Sequence, residues 1–413
     1  MRTKKQHYVT LGLILLVYLV TTMWVTPPGP GGKGPGMGDP YPADPGKFVG
    51  SAACQSCHKD IYATHLLTAH YRDSRPATKE TIKGRFTGSQ SHFDYNAHMR
   101  VELEKKGDKY YQSGYFNGTL LESEAFDIVI GSGRKGQSYL YWDQNQLFQL
   151  PISYYTPANS WCNSPGYPEN LVYYNKQVRG NCMQCHSTYA SAAEDEVKGT
   201  TFDKPSIIYG VDCERCHGAA ADHVTWHQAH PGEKTGRYII NTHLMSRQQR
   251  LDACALCHSG FRQEIRPAFT FQSGDTLDNY STATYSSDSV STLDVHGNQY
   301  GLLTSSKCFK MSEMDCSSCH NVHVDEYNAP SLYSQRCMNC HQEASHNSCT
   351  FAPVKELKLS GNCIDCHMPS LPSNKIFLEM SDPDKSAHDL VRTHRVGIYP
   401  EVSKAYLEKI RKH

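Results

Sequence analysis

Along the chain the apolar positions fall into stretches of different kinds. The first is continuous: after Met1-Arg2-Thr3-Lys4-Lys5, no charged residue occurs from Tyr8 to Val25. A charge-free run behind a basic start predicts an export signal, and its length is near the lower limit for a membrane-spanning helix. No A-x-A cleavage site follows, Val20-x-Thr22 being a weak substitute. An uncleaved anchor over residues 8–25 is therefore favoured over a removed signal peptide, and residues 1–25 form one unit on either reading. The basic residues ahead of the run stay in the cytoplasm, which leaves the rest of the chain outside it. Residues 26–47 are dominated by Pro and Gly (Pro27-Pro28-Gly29-Pro30-Gly31-Gly32), have no hydrophobic period, and read as a tether.

Residues 81–178 alternate instead. Met99-Arg100-Val101-Glu102-Leu103 and Lys109-Tyr110-Tyr111 flank a Lys106-Gly107-Asp108 turn, a β-hairpin signal. Phe126–Ile130, Ser138–Trp142 and Gln146–Leu150 extend this into a small antiparallel β insert. Gly131-Ser132-Gly133-Arg134-Lys135-Gly136-Gln137-Ser138 has the glycine spacing of a phosphate-binding loop but carries Gln137 where the lysine belongs, so it reads as a strand-connecting turn. Residues 261–300 are rich in Ser, Thr and Asp without a period and are expected to be an exposed loop. Elsewhere the helical spacing is short, as in Ile61–His70.

One pattern recurs through these stretches. Cys54-Gln55-Ser56-Cys57-His58 returns as C-x-x-C-H at Cys182, Cys185 and His186, at Cys213, Cys216 and His217, and at Cys254, Cys257 and His258. It returns again at Cys316, Cys319 and His320, at Cys337, Cys340 and His341, and at Cys363, Cys366 and His367. This is the attachment pattern of c-type haem: two thiols form thioethers with the porphyrin and the adjoining imidazole takes an axial position on iron. On one helical turn, positions i, i+3 and i+4 share a face, so a single turn presents all three groups. Zinc-binding C-x-x-C pairs do not require a histidine after the second cysteine, which is present here every time. Seven covalent c-type haems are expected, attached outside the cytoplasm.

Composition agrees. For 413 residues, 38% hydrophobic content is lean for a large side-chain core, as is a mean hydropathy of −0.57; porphyrins would supply the missing apolar mass. The 41 basic and 41 acidic residues cancel. Haem propionates would then make the assembled protein acidic, which argues against nucleic acid as a partner. The expected fold is mainly α with extensive loops, organised around stacked haems, with the small β insert and one N-terminal signal or anchor helix. Residues 48–80 form a first haem module, 81–178 the β-rich insert, 179–290 the region of haems two to four and 291–413 that of haems five to seven. Fourteen of the 17 cysteines belong to motifs, leaving Cys162, Cys308 and Cys349 with at most one disulfide among them. The plain reading is one bridge and one buried thiol; the sharper one is a thiolate haem ligand.

A family resemblance follows from particular residues. Phe93-Asp94-Tyr95-Asn96, Val129-Ile130-Gly131-Ser132-Gly133, Leu147-Phe148-Gln149-Leu150-Pro151 and Pro165-Gly166-Tyr167 resemble the β region of exported multihaem cytochromes related to the tetrahaem cytochrome that serves hydroxylamine oxidoreductase. Gly210-Val211-Asp212-Cys213-Glu214-Arg215-Cys216-His217-Gly218, Asp315–His323 and Asn362–Pro369 resemble that family's haem sites. The resemblance implies electron transfer through closely stacked, mostly bis-histidine haems. With seven sites and a tether, this chain departs from the tetrahaem type, and the partner enzyme does not carry over.

Second axial ligands must come from histidines outside the motifs. Of 22 histidines, seven lie in motifs and the remainder outnumber the irons. His70 is the choice in the first module, with His65 also within reach. His223 resembles a family ligand position, with His227 and His230 as spares, and His243 is a further candidate. Toward the C-terminus the candidates are His296, His323, His346, His388 and His394, of which the resemblance favours His296, His323 and His394. Two imidazoles fill both axial positions, which favours electron transfer between redox proteins over substrate activation. The alternatives are an oxidoreductase acting on a small nitrogen or sulfur compound at one open haem, and a subunit of an extracellular haem wire. C-x-x-C-K, the nitrite-reductase signature, does not occur.

Overall fold

The computed structural model describes residues 45–285, 293–342, 349, 356 and 359–412. The signal or anchor segment, most of the tether and His346 lie outside the described residues. Among those described, no helix is long and apolar enough to cross a membrane.

Strand is nearly as abundant as helix. A four-stranded antiparallel sheet runs in the order β2 (His92–Asp94), β3 (Met99–Lys106), β4 (Lys109–Phe116), β5 (Thr119–Ala125). Lys106 pairs with Lys109 across Gly107-Asp108, where Gly107 takes φ 61°. Phe116 pairs with Thr119 across Asn117-Gly118, both with positive φ. Two successive left-handed residues make the turn whose twist matches that of the strands it joins. A larger sheet orders β1 (Ser74–Pro76), β6 (Ile128–Ile130), β7 (Gly136–Asp143), β8 (Gln146–Gln149) and β11 (Lys176–Gln177). The start of β7 also pairs β9 (Ile152–Tyr155), which pairs β10 (Ser160–Asn163). Gly131 and Gly133, both at positive φ, lie in the link from β6 to β7.

These sheets enclose an aromatic core that includes Phe93, Tyr110, Phe126, Tyr139, Tyr154 and Trp161. Fully buried Gln112 bridges strands of the two sheets, its amide donating to the Ile152 carbonyl at 2.7 Å and accepting from the Ile152 amide at 2.9 Å. Trp161, 3% exposed, packs edge-on against Phe86 and Tyr154 and donates its indole N–H to the Arg85 carbonyl. Trp161→Ala is expected to cost about 3–5 kcal/mol. A urea midpoint that does not move would show that this core is not what holds the sheets together.

The expectation of a mainly α molecule is overturned: among the described residues 29% is helical and 26% is strand. The reason is local. A C-x-x-C-H site requires one helical turn, so many helices end once the histidine is placed, as at Gly180–His186 and Cys213–His217. Pairing also extends beyond a small insert, in ribbons of residues 187–189 with 208–209, 192–195 with 199–202, 262–264 with 281–283 and 370–378 with 387–392. The stretch 261–300 is likewise not a plain exposed loop, since Phe269, Phe271, Leu277, Tyr280, Leu293 and Val295 are buried.

Strand β1 carries the His70–Asp73 segment onto the larger sheet. The Asp73 carbonyl accepts from the Gly131 amide, the His70 carbonyl accepts from Val211 at 2.8 Å, and Ser74 Oγ accepts from Gly210 at 2.9 Å. Gly210 has φ 70°, and a Cβ there would strike the Tyr71 carbonyl. This close approach sets the first haem module beside the third motif.

Candidate functional site

Each C-x-x-C-H segment forms one helical turn. The His58 amide donates to the Cys54 carbonyl at 2.8 Å, and His320, His341 and His367 repeat the bond to Cys316, Cys337 and Cys363 at 3.0 Å. The other three motifs end the helices Gly180–His186, Cys213–His217 and Arg247–His258. Caps start several of these turns. Asp212 accepts from the Cys213 amide, Asp315 accepts from the Ser317 and Ser318 amides, and Ser246 with Gln249 closes a capping box. Buried Glu214 ties the first motif's approach to the third motif, accepting from the amides of Val49, Gly50 and Ala220.

Among the described residues the cysteines form no disulfide. The bridge expected among Cys162, Cys308 and Cys349 is not made; Cys162 is buried under the Met380 strand bridge, and burial pushes its thiol up to about 12. The motif thiols instead meet across motifs. Cys54 lies beside Cys213, Cys185 beside Cys257, Cys254 beside Cys316, and Cys337 beside Cys363. The first motif thus adjoins the third, the second the fourth, the fourth the fifth, and the sixth the seventh.

The motifs are not packed alike, contrary to what seven copies of one pattern suggest. Cys57, Cys182 and Cys340 are exposed, whereas the other motif cysteines, among them Cys216, Cys319 and Cys366, are partly buried. The departure is clearest at Cys340, a thiol that the sequence nominates for a thioether against a porphyrin but that the structure leaves at the surface. Its helix, Pro330–Met338, ends before it at the Asn339 cap, and the Cys340 amide makes a last-turn bond to the Cys337 carbonyl at 3.1 Å. Cys337, inside the helix, meets Cys363 of the seventh motif.

The imidazoles pair over long sequence distances. His58 faces His223 with ring centres 6.5 Å apart, His258 faces His70 at 6.1 Å, His217 faces His323 at 6.1 Å, and His320 faces His394 at 6.1 Å. A metal held by two imidazoles lies about 2 Å from each nitrogen, and each ring centre stands roughly 1 Å behind its nitrogen, so ~6 Å separates the two centres. On ring-centre distance these four pairs have room for an iron between them; His65 and His323 also stand 6.4 Å apart, but neither belongs to a motif. By contrast His223 and His227, at 4.6 Å, are too close. Burial, with His258 nearby, pulls His70 down to about 4, and burial with His320 nearby does the same to His394. At neutral pH both are neutral imidazoles, the form that ligates a metal.

Ring orientation is set from behind. His217 Nδ1 lies 2.9 Å from the Ile240 carbonyl, His223 Nδ1 2.7 Å from that of Arg237, and His367 Nδ1 2.8 Å from that of Gly397. His186 Nδ1 instead lies 2.8 Å from Asp73 Oδ2. Burial opposes charge on this imidazole, but the carboxylate prevails and raises its pKa above the usual value. A neutral Nδ1–H bonded in this way leaves Nε2 to act as the ligand. Among the described residues, buried Arg75 Nε, Arg215 Nη2 and Asn362 Oδ1 find no hydrogen-bond partner. Unpaired buried arginine nitrogens are costly, and porphyrin propionates would satisfy them, so the donor set fits haem on this count as well.

Not every candidate is brought to a motif histidine. His243 is exposed. His296 Nδ1 lies 3.9 Å from Asp389 Oδ2, and His388 packs on Phe377. His230 stacks on Trp226. His65 is 6% exposed, with Nε2 3.2 Å from Asp212 Oδ1. His65, Asp212 and Cys213 are grouped closely enough for a cation, but a thioether at Cys213 would remove the third ligand. Asp73 and Asp212 were not singled out by sequence reasoning. Asp212 had a signal, since it stands directly before a motif cysteine as Asp315 does; Asp73 had none, lying 113 positions from its partner.

The family model described as cytochrome c554 and c-prime matches residues 169–218 and 315–389, which contain five of the seven motifs. No curated protein matches the chain. Among solved structures, the outer cell wall cytochrome OcwA is similar in fold, with a TM-score of 0.53 and 16% identity over 87% of this chain and 81% of that one. Set on the thiol and imidazole geometry above, these matches support a multihaem c-type cytochrome, carrying covalently bound haem and working in electron transfer.

Proposed function

We propose that the chain is a heptahaem electron conduit acting outside the cytoplasm between a donor and an acceptor protein. The observation that carries this reading is the set of four imidazole pairs at 6.1–6.5 Å, each joining a motif histidine to a histidine from a distant segment. The fourteen motif cysteines would hold the porphyrins, the seven motif histidines would be proximal ligands, and His70, His223, His323 and His394 would be distal ligands to the fourth, first, third and fifth motifs. Haem supplies the one-electron chemistry when bound; the protein supplies ligation, spacing and charge. Spacing follows from the thiol contacts and from His320 and His323, which serve adjacent motifs. They suggest the order first, third, fifth, fourth, second, with the sixth and seventh as a pair.

A second reading is favoured by one observation: among the described residues, no imidazole faces His186 at pairing distance. An open iron there would suit an oxidoreductase for a small nitrogen or sulfur compound. Electron paramagnetic resonance of the oxidised protein with nitrite and hydroxylamine added in turn, together with the absorption spectrum of the reduced protein under carbon monoxide, separates the two. The conduit predicts low-spin, unresponsive irons at the first, third, fourth and fifth motifs and no turnover. A responsive high-spin signal accompanied by turnover moves the reading to the enzyme.

Localisation has its own test. Carbonate washing should leave the protein with membranes if residues 8–25 remain attached, because a spanning helix is not released by screening charge. A mature N-terminus at or beyond Met23 would instead establish cleavage.

A further inference from the structure

We infer that Asp73 is a positioning and tuning residue for the second haem site, and that it makes the iron held by His186 the lower-potential member of the adjoining second and fourth sites. The inference rests on the conduit reading above and adds a direction to it. Asp73 Oδ2 lies 2.8 Å from His186 Nδ1, whereas His217, His223 and His367 turn their Nδ1 atoms to neutral backbone carbonyls. A carboxylate that accepts the ring N–H of a ligand imidazole makes the ligand a stronger donor to iron, which favours the ferric over the ferrous state. Charge-assisted hydrogen bonds of this kind are roughly twice as strong as neutral ones.

The carboxylate is held in place. Its backbone carbonyl accepts from Gly131 at the end of β6, its amide donates to the His70 carbonyl at 3.1 Å, and Ser74 begins β1. The same short segment therefore faces two motifs, through Asp73 to His186 and through His70 to His258. Those two motifs are in contact through Cys185 and Cys257. With haem bound at both motifs, an electron would pass more readily from the site of His186 to that of His258 than the reverse, one site being oxidised as the other is reduced. No bond is made or broken, and the proton stays on His186 Nδ1.

The test is a potentiometric titration of the fully loaded protein and its Asp73→Asn, Asp73→Ser and Asp73→Glu variants, with covalent haem counted in each. Asn and Ser remove the charge, and the expected result is one midpoint potential raised by at least 59 mV, a tenfold change in that reduction equilibrium, with any shift at the other sites smaller. Glu should restore the wild-type value, which a purely structural role would not do. Titrations of Asn and Ser that superimpose on wild type overturn the inference. So does an equal shift in Glu, or loss of haem from all three variants. If instead Cys182→Ala/Cys185→Ala leaves the haem count unchanged, the second motif carries no haem, and it is the conduit reading that fails.

Discussion

Replacing His70 by alanine is expected to open one iron in seven to external ligands, whereas replacing His65 opens none. Both lie just after the first motif and either could serve an iron on spacing alone. His70 has its ring centre 6.1 Å from that of the motif histidine His258, while His65 Nε2 lies 3.2 Å from Asp212 Oδ1 and its ring faces no motif histidine among the described residues. The His70 variant should convert about one-seventh of the low-spin signal to high spin and take up one carbon monoxide per chain, because losing one of two imidazoles vacates an axial position. His223→Ala, His323→Ala and His394→Ala should each do the same for a different iron. The His65 variant should keep the low-spin spectrum. Identical carbon monoxide uptake by the His65 and His70 variants would refute the pairing.

The second large effect is the loss of structure without haem. Expressed without the attachment machinery, the chain should retain slowly exchanging amides in β3, β4 and β7 and lose protection at the motif turns. Leu103, Tyr139, Ile152 and Tyr174 lie in a core made wholly of side chains, which needs no porphyrin. Around the later motifs the buried clusters are small, such as Leu293, Val295 and Leu302 or Cys162, Leu378 and Met380. So little apolar area does not offset the entropy of ordering the surrounding loops. Hydrogen exchange followed by mass spectrometry reads the two regions separately. Protected amides at Cys254–His258 and Cys363–His367 in the haem-free chain would contradict this.

The difference between these regions also explains how the fold reading went astray. Counting apolar residues over the whole chain gives a low average, and the average hides a dense aromatic block between Phe93 and Tyr174. Val101 and Leu103 alternate with polar neighbours and are visible as a strand. Asn117-Gly118 is an equally strong turn signal. The ribbons at 192–202 and 370–392 offered little to read, since much of their surface is exposed and polar and their pairing is decided by what lies beside them.

The C-x-x-C-H turns were legible because their chemistry is local. Five consecutive residues supply two thiols and one imidazole to one face of one helical turn, and no distant contact is needed to bring them together. For the same reason the sequence by itself points to the kind of cofactor and nominates the histidine expected as its proximal ligand. How deeply each thiol is set was not legible, since Cys340 and Cys319 occupy the same place in the same pattern and only Cys319 is partly covered. The sequence could nominate His70, His223, His323 and His394 as spare imidazoles, but not their partners. His70 stands near His58 in the chain and faces His258; His223 follows His217 closely and faces His58. That exchange depends on Glu214 binding the Val49 and Gly50 amides, on Gly210 passing under Tyr71, and on β1 anchoring Asp73. The first two are contacts across more than a hundred residues, and all three form only when the sheets and motif turns pack together. Periodicity reports which residues share a face of one element; which faces meet is decided by packing, and only the tertiary structure carries it.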